Sequence, residues 1–233
     1  MTKHYELIVK RDCPTCAMLE PVVGEMLAAG TNLKVFSQDD PSFPATAAYV
    51  EDDTSLEISH RRSIEIVPTL ICYQGNDEQG RTEGWDQKEW ARILEVATIG
   101  TELPAFRPGC GSLSVGPGMA EILALRFGDI ELAARKLEIG SMEDPLEACF
   151  ERGWSDGLPV VPPTEIRVVR MLSGTRRSPD EVIGAVPPDL QPCTVEKAAI
   201  NACMAGCKPE YFPVVIAALE AALIDEFCMH GLL

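Results

Sequence analysis

Apolar residues in the first hundred positions fall into short runs separated by stripes at helical spacing. The run Tyr5-Glu6-Leu7-Ile8-Val9 reads as a buried strand. Met18, Leu19, Val22, Val23, Met26 and Leu27 recur at helical spacing, which predicts a helix over 16–29 with Gly30 as its C-terminal cap. A second short strand follows at 33–37, and a strand–helix–strand unit of this length makes a right-handed parallel crossover. Residues 38–53 hold Pro41, Pro44 and several acids and read as an acidic surface loop before a shorter helix at 54–62. The apolar run 64–73 is a strand interrupted by Pro68, which is tolerated where its missing N–H is not needed. Turn residues Gly75, Asn76 and Asp77 then fold it into a hairpin ending near Trp85. Asp86 with Glu89 forms a capping-box pattern that opens a helix over 87–99.

The pattern changes after residue 100. Residues 101–108 hold two prolines and no periodicity, so a linker is expected there. Beyond it, helices are expected at 119–127, 130–139, 144–152, 165–172, 195–206 and 214–227, with one short strand at 183–186. The expected fold class is α/β, with one domain over 1–100 and a mostly helical α/β domain over 109–233. The apolar ending at 229–233, without a polar tail, adds the expectation that this second domain is incomplete at its C-terminal end.

The net charge of −16 argues against nucleic acid or an anionic membrane surface as partner. No apolar run approaches the roughly 18 residues of a membrane span, and no apolar leader segment opens the chain. A cytoplasmic location is therefore expected. In such a reducing compartment the nine cysteines do not read as a disulfide framework, and most are expected to be free thiols. Cys72, Cys149 and Cys228 lie among apolar residues and read as core packing.

The stretch with the most chemistry is Arg11-Asp12-Cys13-Pro14-Thr15-Cys16. A C-x-x-C between a strand and a helix sets its first sulfur near unpaired backbone N–H groups, which favour the thiolate that attacks disulfides. The competing reading is half of a zinc site. It lacks the second C-x-x-C or Cys/His pair that four ligands require, so no metal is expected. Gly109-Cys110-Gly111-Ser112 is a second candidate: glycines on both sides would expose the cysteine in a turn whose N–H groups form an anion nest, against the plainer reading of an ordinary Gly/Pro turn. The rigid loop 153–164, carrying Trp154, Ser155, Asp156 and Thr164, would shape a pocket. On the helix after Thr194, Cys203 and Cys207 are spaced to share a face.

Cys13-Pro14-Thr15-Cys16, followed by Val67-Pro68-Thr69 and a hairpin, resembles the thioredoxin superfamily over residues 4–100. The resemblance implies a thioredoxin-like domain with a mixed sheet between helices, Cys13 as the attacking thiol, Cys16 as the resolving thiol, and a cis Pro68. It also implies that Val67, Pro68 and Thr69 form the substrate-binding segment, with backbone hydrogen bonds offered by Val67. Three departures stand out: Pro-Thr between the cysteines, Asp12 before Cys13, and Leu7 where the family usually buries an acid. Residues 107–228, through Gly157-Leu158-Pro159-Val160-Val161-Pro162-Pro163-Thr164, Thr194-Val195-Glu196-Lys197 and Ala205-Gly206-Cys207-Lys208-Pro209-Glu210-Tyr211, resemble the UGSC-type (seleno)protein family. In that family's motif Cys110, Gly111 and Ser112 would occupy the first three positions, with Leu113 where a second Cys belongs. This resemblance implies thiol chemistry at Cys110, with Cys207 as a second thiol.

Together these readings point to a thiol–disulfide oxidoreductase acting on a protein or small-molecule disulfide, without a cofactor, re-reduced by a reductant the sequence does not identify. Its own oxidised Cys110 in the second domain is a candidate substrate. A non-catalytic thioredoxin-like scaffold is the alternative, motivated by Asp12 and Leu7.

Overall fold

The computed structural model describes residues 3–231. Leu232 and Leu233, part of the apolar ending noted above, lie outside the described residues. The chain divides into two compact units, 1–123 and 124–233.

The first unit is mixed α/β. Its elements are β1 (Lys3–Val9), α1 (Pro14–Met18), α2 (Glu20–Ala28), β2 (Leu33–Ser37), β3 (Glu51–Asp52), α3 (Glu57–Arg61), β4 (Ile66–Val67), β5 (Thr69–Gln74), β6 (Asp77–Glu83), β7 (Trp85–Asp86), α4 (Gln87–Leu94), β8 (Phe106–Arg107) and β9 (Cys110–Gly111), with α5 (Met119–Arg126) running across the division. Five strands form one sheet in the order β3-β2-β1-β5-β6. β1 runs parallel to β2 and antiparallel to β5. Successive side chains of a strand point to opposite faces, and every residue of Tyr5–Val9 is buried, so both faces of the central strand are covered.

The single helix expected over 16–29 is two helices, broken at Leu19. Pro21 has no N–H to continue the ladder, so Leu19 N–H bonds the Cys16 carbonyl and Val23 N–H restarts from Leu19. Gly30 closes α2 at φ +75°, with Thr31 N–H on the Met26 carbonyl. Asp86 caps α4 by accepting the N–H groups of Lys88 and Glu89. That helix ends at Leu94 rather than near 99, because Glu95 turns left-handed at φ 58°.

Residues 101–108 are not a linker. Trp85 packs edge-on against Trp90 and donates its indole N–H to the Pro104 carbonyl at 2.6 Å, while β8 pairs with β7. The expected second domain therefore loses 109–123, Cys110 included, to the first unit.

The second unit contains α6 (Pro145–Glu151), α7 (Glu165–Leu172), β10 (Val182–Val186), β11 (Gln191–Thr194), α8 (Val195–Met204) and α9 (Phe212–Ala222). Val168, Leu172, Ala199, Cys203, Phe212 and Ile216 belong to its core, and β10 pairs antiparallel with β11. Thr194 caps α8 by accepting Lys197 N–H. The helix expected at 130–139 is irregular chain. Ala133 and Ala134 give their N–H groups to the buried Glu196 carboxylate, at 3.0 and 2.9 Å, which takes them out of any helical ladder. Cys72 and Cys149 are buried as expected, but Cys228 is exposed: α9 stops at Ala222, and Cys228 follows in short turns, itself left-handed at φ 55°. Among the described residues, no helix is long and apolar enough to cross a membrane.

Candidate functional site

Because β1 and β2 are parallel and Val9 pairs with Ser37, the chain leaves both strands on the same side. The loop after β1 (Lys10–Cys13) thus meets the loop after β2 (Gln38–Asp40). The exposed Asp39 carboxylate accepts the N–H groups of Arg11 and Asp12 at 2.7 and 2.9 Å, and Arg11 pairs with Asp40 at 2.8 Å. These contacts fix the approach to Cys13. Cys13 is extended (φ −141°, ψ 110°) and serves as the N-cap of α1, its sulfur accepting Cys16 N–H at 3.4 Å.

On its other side the Cys13 sulfur lies 3.6 Å from the carbonyl of Val67. Val67 ends β4, the Val67–Pro68 peptide is cis, and Thr69 is buried with its hydroxyl on the Ile66 carbonyl. The strand β4 pairs antiparallel with β9, Val67 opposite Cys110 and Ile66 opposite Gly111. Cys110 therefore sits over the C-x-x-C rather than in a free turn. The expected anion nest is not formed: Ser112 N–H goes to the Glu65 carbonyl and Leu113 N–H to Gln38 Oε1. Gly109 is required by close approach, since a Cβ there would overlap Ile66 Cγ2 and stand 2.7 Å from the Val67 oxygen.

The three thiols differ in character. Cys13 is lowered from 9.0 to about 5, first by the hydrogen bond from the Cys16 thiol; burial opposes this, and the Cys110 thiol and the N–H groups of Cys16 and Thr15 add to it. Cys16 is pushed far upward, first by burial and then by its role toward Cys13. Cys110 is raised, first by hydrogen-bonding Cys13 and then by desolvation. The arrangement can hold one thiolate at Cys13 flanked by two protonated thiols. Leu7 is fully buried and Glu6, beside it in β1, is engaged by Arg62 at 2.9 Å. All nine cysteines are free thiols, and among the described residues no three Cys, His, Asp or Glu side chains converge as a metal site would require.

The remaining candidates fall elsewhere. Gly111 is exposed and Ser112 is buried, its hydroxyl accepting from Gln38 at 2.6 Å. Cys207 follows α8 in the second unit, partly exposed, and Cys203 donates to the Arg167 carbonyl. Asp156 is exposed and accepts Leu158 N–H. A cavity of about 730 Å³ in the second unit is lined by Trp154 and Thr164 of the expected pocket loop, together with Arg135, Cys149, Arg152 and Asn201. Ser155 and Asp156 are not among its lining residues. Sequence reasoning missed Lys10, Thr15, Gln38 and Asp39. For Lys10, Gln38 and Asp39 the signal was positional: each follows the end of β1 or β2, where a parallel pair brings its loops together; Thr15 lies in the first turn of α1, between the two cysteines. No protein-family model matches this chain, and no curated protein matches it.

Proposed function

We propose that the first unit is a thioredoxin-like thiol–disulfide oxidoreductase, with Cys13 attacking and Cys16 resolving. The observation that carries this reading is the Cys13 sulfur at the start of α1, accepting the Cys16 N–H at 3.4 Å, a position that favours its thiolate. A thiolate attacks a disulfide sulfur and releases a thiol, leaving a mixed disulfide at Cys13. Cys16 then attacks Cys13 and releases the second thiol. The sheet order β3-β2-β1-β5-β6 and the Val67 carbonyl, before the cis Pro68, 3.6 Å from the Cys13 sulfur support the same reading. Cys110, beside Cys13, is the nearest further sulfur with which such a thiolate would exchange, which supports the thiol role expected for it. A disulfide substrate and a separate reductant are the partners this chemistry needs.

A non-catalytic scaffold is favoured by one observation: Cys13 is only 1% exposed and the strand edge beside it is occupied. The two readings separate on turnover. Reduced protein mixed with a disulfide should form the Cys13–Cys16 disulfide and return to the dithiol with added reductant over many cycles, and Cys13→Ser should abolish this. Absence of cycling in the wild type would leave the scaffold reading.

A further inference from the structure

The Cys13/Cys16 pair is closed off by its own chain. Cys13 is 1% and Cys16 2% exposed, whereas Cys110 is partly open to solvent. The edge of β4 that faces Cys13, where an extended peptide would add as a strand, already carries β9. The β9 segment is tied down along its length. Thr15 Oγ1 donates to the Pro108 carbonyl at 2.7 Å and Lys10 Nζ to the Gly111 carbonyl at 2.8 Å. Gln38 holds Ser112 and Leu113, and Ser114 Oγ donates to the Ile64 carbonyl at 2.6 Å. With Gly109 packed directly on Ile66 and Val67, a competing polypeptide would have to break all of these contacts.

We propose that Cys110 is the entry thiol of a three-cysteine relay, through which the buried Cys13/Cys16 pair exchanges electrons with small disulfides rather than with extended polypeptides. The proposal rests on the dithiol reading above. Cys110 passes its proton to the Cys13 thiolate it hydrogen-bonds and, as thiolate, attacks a small disulfide RSSR, forming Cys110–S–S–R and releasing RS−, which takes that proton back from Cys13 as RSH. Cys13 thiolate then attacks the Cys110 sulfur, forming Cys13–S–S–Cys110 and releasing the second R group as thiolate, which takes a proton from water. Cys16 thiol attacks Cys13, forming Cys13–S–S–Cys16, and its proton passes to the departing Cys110 sulfur. One disulfide is reduced to two thiols, and one dithiol is oxidised. The same steps in reverse let a small thiol re-reduce the pair.

The test uses hydroxyethyl disulfide, small and neutral so that the net charge of −16 plays no part, with acid quenching and mass mapping. Wild type should form the Cys13–Cys16 disulfide, and Cys110→Ser should form it about tenfold or more slowly. Cys16→Ser should stop at Cys13–S–S–Cys110 with both hydroxyethyl thiols released; this readout is independent of how Cys110→Ser folds. An unchanged rate in Cys110→Ser, or a hydroxyethyl adduct on Cys13 beside a free Cys110 in Cys16→Ser, would overturn the relay while leaving the dithiol reading intact. Reduction of insulin by the wild type as fast as of hydroxyethyl disulfide would overturn the exclusion of polypeptides. If the wild type forms no Cys13–Cys16 disulfide even with diamide, the dithiol reading falls and the relay with it.

Discussion

Val67 and Cys110 face each other across a short antiparallel pairing, and the carbonyl of Val67 is also the group that the Cys13 sulfur approaches at 3.6 Å. One backbone residue thus joins two cysteines far apart in the chain.

That arrangement predicts the titration of Cys13. Its thiolate should be present at and above about pH 6, following a midpoint of about 5, as read by ultraviolet thiolate absorbance. Removing the main lowering contact with Cys16→Ala should raise the midpoint by about a unit or more. The folded-state value lies below the unfolded 9.0, so the thiolate stabilises the reduced protein fully above about pH 9, and this contribution is lost as pH falls through about 5. A midpoint near 9 in the wild type would contradict the hydrogen bonding described.

Gly109 should tolerate no side chain. Gly109→Ala forces a methyl group against Ile66 and the Val67 oxygen, and should cost about 1–3 kcal/mol by overpacking. Displacement of β9 should also open Cys13 to bulky alkylating reagents. Urea denaturation and alkylation rates check the two effects separately; unchanged values in both would mean that the segment yields without cost.

Asp39 should matter more than its exposed position suggests. Asp39→Ala removes the acceptor of two backbone N–H groups in the loop before Cys13, and should destabilise the protein by about 1 kcal/mol. Asp39→Asn, which keeps one oxygen, should lose less. Hydrogen exchange at Arg11 and Asp12 should speed up in the alanine variant.

In the second unit, Glu196→Ala should leave the N–H groups of Ala133 and Ala134 without their acceptor. The expected loss is about 2–4 kcal/mol, with fast exchange at both amides. Exchange that stays slow would show that those groups find another acceptor.

The local elements of the first unit were legible because local physics sets them. The apolar run of β1, the Gly30 cap, the Asp86 cap and the break at Pro68 each act within a few residues. The same holds for α7, whose expected span 165–172 is the one observed. The helix breaks at Leu19 and Glu95 were local, but the larger errors arose where a distant group claimed the backbone. The stretch 130–139 has helical spacing, yet Glu196 takes two of its N–H groups. Residues 101–108 look like a linker, yet the Trp85 indole and the pairing of β8 with β7 hold them.

The site divides in the same way. Cys13 and Cys16 could be picked out from residue type and spacing, and so could Cys110 as a reactive candidate, whereas Pro68 entered the site only through the resemblance to the thioredoxin superfamily. That Cys110 belongs to the first unit, opposite Val67 and against Cys13, was decided only by tertiary structure. A strand pairing between residues more than forty apart leaves no periodic trace in either segment. Its one local sign, Gly109, acquires meaning only once Ile66 and Val67 are packed against it.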